Sequence, residues 1–314
     1  MRDLKNSTLI IPIKIEHPDR YRNAKITLSF LNKHIETNVI IYEVSDDGIS
    51  KLDFIGDLIN LRINHIIEKT NGSFHRTRYL NEMLDLVSTP VVINYDIDVL
   101  LDPENMVECQ NILISGEYSV IYPYELGLGQ IQVQSTFDYN GFIDSEYSMD
   151  FINNSPNINL YSAECGHCIF FNTDIYKNLG GENENFISYG PEDKERLYRF
   201  HLLTNSIIWR NGHKVYHLEH YRGDDSWTSN PNYYHNWNVF NSIKNLTPNE
   251  VAEYYMNVEY IKKYSTIGKI KNVMEIGPID DKIANIIGIA NNDTVSREPK
   301  IRIAINPNDP TTLT

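Results

Sequence analysis

The chain has 314 residues, of which 41% are hydrophobic and 22% charged, a composition typical of folded globular proteins. Its net charge of −14 argues against nucleic acid as the main partner, since phosphate backbones attract positive surfaces. No run approaches the roughly 18 consecutive apolar residues of a membrane-spanning helix, and the N-terminal run lacks the cleavage site of a signal peptide. Three cysteines do not make a disulfide framework, so we expect a reducing, cytoplasmic location.

The first hundred residues alternate between β-branched runs and amphipathic segments. Buried strands are predicted at residues 8–15, 38–46, 63–69 and 90–101, a loop followed by a helix at residues 16–34, and a helix at residues 75–87. This alternation indicates an α/β fold with a Rossmann-like, mostly parallel sheet flanked by helices. Ligands bind such sheets outside the carboxyl ends of the strands.

The second half is less regular. Residues 130–147 predict an irregular loop or a strand pair, and residues 167–173 predict a strand. The following segments predict a short helix stopped by two glycines at 174–181, a loop and helix at 182–205, a strand at 213–223 and helical structure from about Pro248.

Asp96 and Asp98 sit two residues apart in the apolar run 91-VVINYDIDVLL-101. In a strand, residues i and i+2 point to the same face, so both carboxylates can be presented together while Ile97 faces the core. Paired oxygen ligands suit Mg²⁺ or Mn²⁺, above all beside diphosphate oxygens. Two solvated acids at a strand end are the alternative interpretation.

The histidines of 217-HLEH-220 are a second candidate for metal binding. Imidazole is a good ligand of Mn²⁺ and of later transition metals, so His217 and His220 with the two aspartates would form a mixed nitrogen and oxygen site. In a chain with ten histidines, a surface pair is the alternative.

The segment 188-SYGPEDKERL-197 predicts a turn followed by a helix, with Glu192 and Asp193 in the first helical turn. Acids there are stabilised by the helix macrodipole, so helix capping is one interpretation. The other is a carboxylate general base at the edge of a pocket, flanked by Phe186 and Tyr189.

Arginines lie near the ends of two predicted strands. Arg76 and Arg78 in 74-FHRTRYLNEM-83, and Arg20 and Arg22 in the first loop, are candidates for phosphate or ribose contacts. An arginine at a helix start opposes the macrodipole, and a bound anion would offset that cost. Surface salt bridges are the alternative.

The segment 165-CGHC-168 has the spacing of a thiol–disulfide oxidoreductase motif. Such a motif opens a helix after an early strand, whereas here it lies midway along the chain and continues into a strand. Buried thiols are the favoured interpretation.

Taken in order, these motifs resemble those of GT-A glycosyltransferases, most closely the β-1,4-galactosyltransferase type and its bacterial relatives. The family pattern Phe-Asn-Arg-Ala-Lys-Leu-Leu-Asn is similar to 74-FHRTRYLN-81, and its Asp-x-Asp strand ending Leu-Leu-Pro-Glu-Asn is similar to 96-DIDVLLDPEN-105. Its small-residue strand and Asn-Gly-Phe turn are similar to 166-GHCIFFNTDIYKNLGGENENF-186, and its Trp-Gly-Gly-Glu-Asp-Asp is similar to 189-YGPEDK-194. Its metal histidine before Ser-Arg is similar to His220 before Tyr221 and Arg222.

The resemblance implies a GT-A fold and a metal-dependent inverting glycosyltransferase. Such an enzyme would move a sugar of galactose or N-acetylhexosamine type from a UDP-sugar to a hydroxyl of a carbohydrate acceptor. It implies that Asp98 and His220 ligate Mn²⁺, or Mg²⁺ in its place, with Asp96 near the ribose or the metal. His217 stands where the animal enzymes carry a metal-binding methionine.

The resemblance also implies roles around the metal. Arg76 would contact the nucleotide diphosphate, with Arg20 and Arg22 as further candidates on the donor side. Glu192 would bind the acceptor sugar and Asp193 would deprotonate its hydroxyl. The aromatic residues expected to stack against sugar rings are Tyr189, Phe186, Trp227 and Tyr124.

We expect a GT-A domain over residues 1–245, with a nucleotide-sugar half at about 1–105 and an acceptor half at about 106–245, followed by a partly helical extension over 246–314. Tyr189, Pro191 and Lys194 stand where the family has a tryptophan, a glycine and an acid, which leaves the donor and acceptor sugars open. Peripheral association with the inner face of a membrane also stays open.

Two other function classes fit part of the pattern. A sugar nucleotidyltransferase shares the sheet and the metal but usually carries a glycine-rich phosphate loop after the first strand, which IPIKIEHPDR lacks. A non-catalytic carbohydrate-binding protein on the same scaffold is the second, and the joint presence of the candidate acids and His220 argues against it.

Overall fold

The computed structural model describes residues 1–161, 165–204, 206–223, 226–257, 273–276, 286 and 300–303. The helices are α1 (Pro18–His34), α2 (Arg76–Leu86), α3 (Pro103–Ile114), α4 (Tyr139–Asp144), α5 (Met149–Asn153), α6 (Thr173–Asn178), α7 (Glu192–Thr204), α8 (Tyr233–Ile243) and α9 (Pro248–Met256). The strands are β1 (Arg2–Lys14), β2 (Ile35–Ser45), β3 (Leu61–Lys69), β4 (Val91–Tyr95), β5 (Val99–Leu101), β6 (Val120–Tyr122), β7 (Gln130–Val133), β8 (Ile158–Leu160), β9 (Cys168–Asn172), β10 (Ile207–Trp209), β11 (Val215–Leu218), β12 (Val273–Ile276) and β13 (Lys300–Ile303).

The central sheet has seven strands in the order β10-β6-β9-β4-β1-β2-β3. Strand β1 pairs in parallel with both β2 and β4, whereas β9 runs antiparallel to β4 and β6. The middle of β1 is almost continuously buried, as expected for a strand covered on both faces. The predicted mostly parallel α/β sheet is therefore confirmed, with β9 as its antiparallel member.

A second sheet has the order β5-β11-β7-β8 and receives the chain directly from β4. The sequence predicts one strand over residues 90–101, and this is wrong: β4 ends at Tyr95, and residues 96–98 form the turn that leads to β5. The amide of Asp96 makes the last hydrogen bond in the register of β4 with β9, to the carbonyl of His167 at 2.9 Å, and the chain turns after it. Strand alternation therefore does not place Asp96 and Asp98 on one face.

Several elements escape the sequence patterns because they are short or lack a clear period. They include β6, β10, α3 and α8, and the predicted loop or strand pair at 130–147 contains β7 and α4. Helix α3 does carry a start signal, since Asp102 accepts a hydrogen bond from the amide of Glu104 and a proline follows at the first helical position.

The start of the predicted extension is helical as expected. Helix α9 begins with a capping box, in which Thr247 and Glu250 each accept a hydrogen bond from the other's backbone amide. Most of residues 246–314 lie outside the described residues, and the proposed domain boundary stays a prediction. Within the described part of the chain, no helix is both long and apolar enough to cross a membrane.

Gly129 immediately precedes β7 of the second sheet and lies against the backbone of two other segments. A Cβ atom added there would lie 2.3 Å from the amide nitrogen of Glu125 and 2.5 Å from the carbonyl oxygen of His213, so the backbone would have to shift. We expect Gly129→Ala to lower the free energy of unfolding by roughly 1–3 kcal/mol, measured by urea denaturation. Gly56→Ala is the control, because a Cβ atom there meets nothing within 4 Å. Equal losses of stability in the two variants would contradict this packing argument.

Candidate functional site

A cavity of about 590 Å³ opens where β1 and β4 end at their carboxyl termini. This is the edge at which α/β sheets bind ligands. Its charged and imidazole-bearing lining residues are Lys14, Glu16, Arg20, Arg76, Asp96, Asp98, His167, Glu192, Asp193, Lys194, His217, His220 and Arg222.

The first group in the cavity consists of Asp98, His217 and His220. The antiparallel pairing of β5 with β11 sets Val99 opposite His217, and the amide of Leu218 donates to the carbonyl of Asp98 at 2.8 Å. The Nε2 atom of His220 lies 3.2 Å from Oδ2 of Asp98, and that of His217 lies 3.8 Å from Oδ1. The structure thus brings Asp98 together with two histidines that lie far from it in the sequence.

Hydrogen bonds fix the orientation and the tautomer of the two imidazole rings. Nδ1 of His217 lies 3.0 Å from the side-chain oxygen of Gln132, and Nδ1 of His220 lies 2.7 Å from the carbonyl oxygen of Tyr221. Both partners only accept, so each Nδ1 carries the hydrogen and each Nε2 lone pair faces Asp98. This is the orientation of metal-ligating histidines.

Burial and charge favour the protonation states that a metal requires. Burial lowers the pKa of His217 well below its ordinary value and also lowers the pKa of His220, so both rings are neutral near pH 7. Burial raises the pKa of Asp98, but attraction to the protonated forms of His220 and His217 and to Arg20 outweighs burial and holds that pKa below its usual range. A carboxylate and two neutral imidazoles result.

These three side chains fit a divalent cation. One ligand atom from each lies within 4.8 Å of the others, and a mixed set of nitrogen and oxygen donors suits Mn²⁺ and its neighbours. Arg20 also donates to Oδ2 of Asp98 at 2.9 Å, so a cation and this guanidinium would share the carboxylate.

Asp96 lies apart from this group and pairs with Arg76. The Nη2 atom of Arg76 donates to Oδ1 of Asp96 at 2.8 Å, whereas its Nη1 is buried without a hydrogen-bond partner in the described part of the chain. Burial lowers the pKa of Arg76, and the charges of Asp96, Asp193 and Glu192 more than reverse that effect. A buried cation with an unused N–H group lines the cavity and suits an anionic ligand.

Glu192 and Asp193 begin α7, as the sequence predicts, but their surroundings differ. Burial and the neighbouring Asp193 raise the pKa of Glu192 to about 8, so this carboxyl group is protonated near pH 7 and can donate a hydrogen bond. The side chain of Asp193 is 29% exposed and accepts a hydrogen bond from Arg196 through Oδ1. One helix start therefore presents two acids with different chemical properties.

The remaining predicted residues are divided between the cavity and the core. Tyr189 lines the cavity and is 39% exposed. Phe186 and Tyr124 are fully buried and do not line it, so neither ring offers a stacking face. The side chain of Trp227 lies outside the described residues.

Two of the candidate arginines also point elsewhere. Arg22 packs over the ring of Tyr139 at 4.4 Å and donates to Asp19, and it does not line the cavity. Arg78 is paired with Glu68 on β3. The structure therefore places only Arg76 and Arg20 of these four beside the candidate site.

His167 is a residue that the sequence patterns missed. It adopts a φ of +74°, a left-handed conformation that is uncommon outside glycine, and its ring lies 4.9 Å from that of His217. Its Nε2 atom is buried without a hydrogen-bond partner among the described residues. The only sequence signal was its position inside 165-CGHC-168, where the cysteines drew attention instead.

The cysteines do not support redox chemistry. Cys109, Cys165 and Cys168 are buried. Burial raises the pKa of Cys168 well above its ordinary value and that of Cys109 to about 12, the opposite of a reactive thiolate.

The raised pKa of Glu192 makes a testable contribution to stability. The contribution is fully present below the ordinary pKa of 4.5 and is lost as the pH rises through about 8, because the folded chain holds the proton more tightly. We expect Glu192→Gln to gain stability relative to wild type across this range, by at most about 1.4 kcal/mol per pH unit. Urea unfolding at several pH values measures the difference, with exposed Glu253→Gln as the control for a lost surface charge. A difference that does not vary with pH would contradict the assignment.

No protein-family model and no curated protein matches the chain. Among solved structures, residues 1–349 of S. aureus TarS in complex with UDP-GlcNAc match with a TM-score of 0.51 and 15% identity, covering 83% of this chain and 74% of that chain. Two weaker likenesses are the mannosyltransferase PcManGT of Pyrobaculum calidifontis with GDP-Man and Mn²⁺ (TM-score 0.41, 14% identity, 68% and 56% of the two chains) and the catalytic domain of Drosophila β1,4-galactosyltransferase 7 with xylobiose (0.34, 12%, 66% and 65%).

At such identities a structural likeness establishes the fold alone. The match to TarS covers 83% of this chain. The chain has the GT-A fold of glycosyltransferases, as its sequence motifs predict.

Proposed function

We propose that the chain is a metal-dependent inverting glycosyltransferase that moves a sugar from a nucleotide-sugar donor to a carbohydrate hydroxyl. The observation that carries this proposal is one cavity with two complementary sets of groups. Asp98, His217 and His220 offer a metal site, and Glu192 and Asp193 offer an acid and a base at a helix start. The GT-A fold makes sugar transfer the natural use of this pairing.

The donor diphosphate would bind beside the metal site. Arg76 has an unused buried N–H group, and Arg20 lies against Asp98, so both can donate to phosphate oxygens. When bound at Asp98, His217 and His220, a divalent cation would supply Lewis acidity that offsets the negative charge building on the leaving diphosphate. TarS is crystallised with UDP-GlcNAc, which supports a UDP-sugar of N-acetylhexosamine type as the first donor to test.

The acceptor would bind between the donor sugar and α7. Asp193 would take the proton of the acceptor hydroxyl through its free Oδ2 as that oxygen attacks the anomeric carbon. The bond to the diphosphate breaks on the opposite face, so a single displacement inverts the anomeric configuration. Protonated Glu192 would donate a hydrogen bond to the acceptor sugar, and half-exposed Tyr189 would cover it and exclude water.

The identity of the released product separates this function from a sugar nucleotidyltransferase. We expect incubation with UDP-sugars, Mn²⁺ and a panel of glycan acceptors to release UDP and to lengthen one acceptor. Release of pyrophosphate would favour the nucleotidyltransferase, and binding without turnover would favour a carbohydrate-binding protein. A cytoplasmic location and a peripheral membrane contact remain predictions.

Asp193→Asn tests the proposed base. The amide keeps the shape of the side chain but cannot take the proton, so we expect kcat for transfer to fall by about 10²–10⁴-fold while UDP affinity stays within about twofold. Exposed Asp174→Asn, in the first turn of α6, is the matched control and should transfer at the wild-type rate. Wild-type transfer by Asp193→Asn would show that another group is the base.

His220→Ala tests the metal site. Removing one of three ligands should weaken Mn²⁺ binding by at least about tenfold, measured by titration calorimetry on the purified protein without a donor. His235→Ala is the control, since this exposed imidazole on α8 does not line the cavity. Equal Mn²⁺ affinities in the two variants, or transfer unaffected by EDTA, would contradict a functional metal at this site.

A further inference from the structure

We propose that Arg196 is a positioning residue that holds the carboxylate of Asp193 in the orientation needed for proton abstraction, and that Glu182 holds Arg196 in turn. The inference rests on the proposed role of Asp193 and adds two buried residues to the site that do not line the cavity.

Arg196 lies one turn after Asp193 on α7, and its side chain is 1% exposed. Its two terminal nitrogens have different partners. Nη2 donates to Oδ1 of Asp193, and Nη1 donates to both carboxylate oxygens of Glu182 at 2.7 Å each. The planar guanidinium therefore fixes the two acids relative to one another.

Glu182 is anchored to the central sheet. Its carboxylate accepts hydrogen bonds from Nδ2 of Asn94 at 3.0 Å and from the hydroxyl of Tyr176, and its amide donates to Asn81 at 2.8 Å. Asn94 belongs to β4, the strand that ends just before Asp96. One strand thus supports the donor side of the cavity directly and the proposed base through Glu182 and Arg196.

The two oxygens of Asp193 are left in different situations. Oδ1 is occupied by Arg196, whereas Oδ2 lies beside Gly166, where an added Cβ atom would come within 3.0 Å. Gly166 lines the cavity and leaves this oxygen uncovered. Holding one oxygen and freeing the other is what a general base requires, because misplacement by about 1 Å can lower a rate by about 10²-fold.

A purely structural ion pair is the competing explanation, and α7 contains a control for it. Arg199 lies one turn further on, is fully buried and pairs with Glu195 at 2.9 Å. Its other donors go to the carbonyls of Leu179 and Gly181. Arg196→Lys and Arg199→Lys therefore disturb two buried pairs of the same kind on the same helix, and only Arg196 contacts Asp193.

We expect Arg196→Lys to lower kcat for transfer by about 10²-fold while the Kd for UDP with Mn²⁺ and the KM for the acceptor stay within about threefold. Arg199→Lys should lose a similar amount of thermal stability and keep kcat within about threefold of wild type. Equal kcat values in the two variants would overturn the positioning role.

Gly166→Ala is a second variant that keeps the test decisive if Arg196→Lys does not fold. The added methyl group crowds Oδ2, so kcat should fall by at least about tenfold at unchanged UDP affinity. An unchanged kcat overturns the inference. Asp193→Asn distinguishes the role of Asp193 as the base from the role of Arg196 in positioning it. If Asp193→Asn still transfers sugar, the proposed base and this inference both fail. If Asp193→Asn is inactive while the kcat of Arg196→Lys equals that of Arg199→Lys, only this inference fails.

Discussion

The antiparallel pairing of β5 with β11 is the contact on which the candidate site depends. It joins the turn after β4 to a strand much later in the chain, and this sets His217 and His220 against Asp98. Strand β7 supports β11 from its other edge and supplies Gln132, which orients His217. Because this second sheet begins where the chain leaves β4, its main-chain hydrogen bonds determine the distance from the proposed metal ligands to the rest of the cavity.

The buried charges around the cavity form two kinds of contact. Glu182 and Arg196 pair with one another and form hydrogen bonds with Asn94, Tyr176 and Asp193, which offsets much of the cost of burying them, whereas Nε of Arg196 has no partner among the described residues. By contrast, four residues that line the cavity each carry a buried polar atom without a partner in the described part of the chain: Nη1 of Arg76, Oε2 of Glu192, Nε2 of His167 and Nε1 of Trp237. Buried polar groups are normally satisfied, so these unpaired atoms are available to a polar ligand in the cavity.

The sequence predicted the fold better than the site. The β-branched runs of β1 to β4 and the spacing of α1 and α2 identified the α/β sheet, and ordered motifs identified Asp98, His220, Glu192 and Asp193 as residues of one cavity. Strand alternation was the wrong reason for Asp96 and Asp98, which lie in a turn. Local patterns could not separate buried Phe186 from accessible Tyr189, since only tertiary packing decides which aromatic ring faces a cavity.

Arg196 and Glu182 show a second limit of sequence reasoning. In an amphipathic segment such as 192-EDKERLYRFHLL-203, a charged residue is normally expected to face solvent. Arg196 is instead buried against Glu182, which belongs to another segment. His167 was overlooked for a related reason, because its importance comes from His217 and Tyr161 packing beside it. The local periodicity of a sequence does not reveal long-range contacts of this kind.

The central claim is that one cavity holds a metal at Asp98, His217 and His220 and a nucleotide sugar whose anomeric carbon faces Asp193. A crystal structure with Mn²⁺ and a non-transferable UDP-sugar analogue, with anomalous diffraction used to locate manganese, tests it most directly. We expect an anomalous peak between the Nε2 atoms of the two histidines and Asp98, with the diphosphate against it and the sugar directed toward Oδ2 of Asp193. A metal peak elsewhere, or a nucleotide bound away from this cavity, would contradict it.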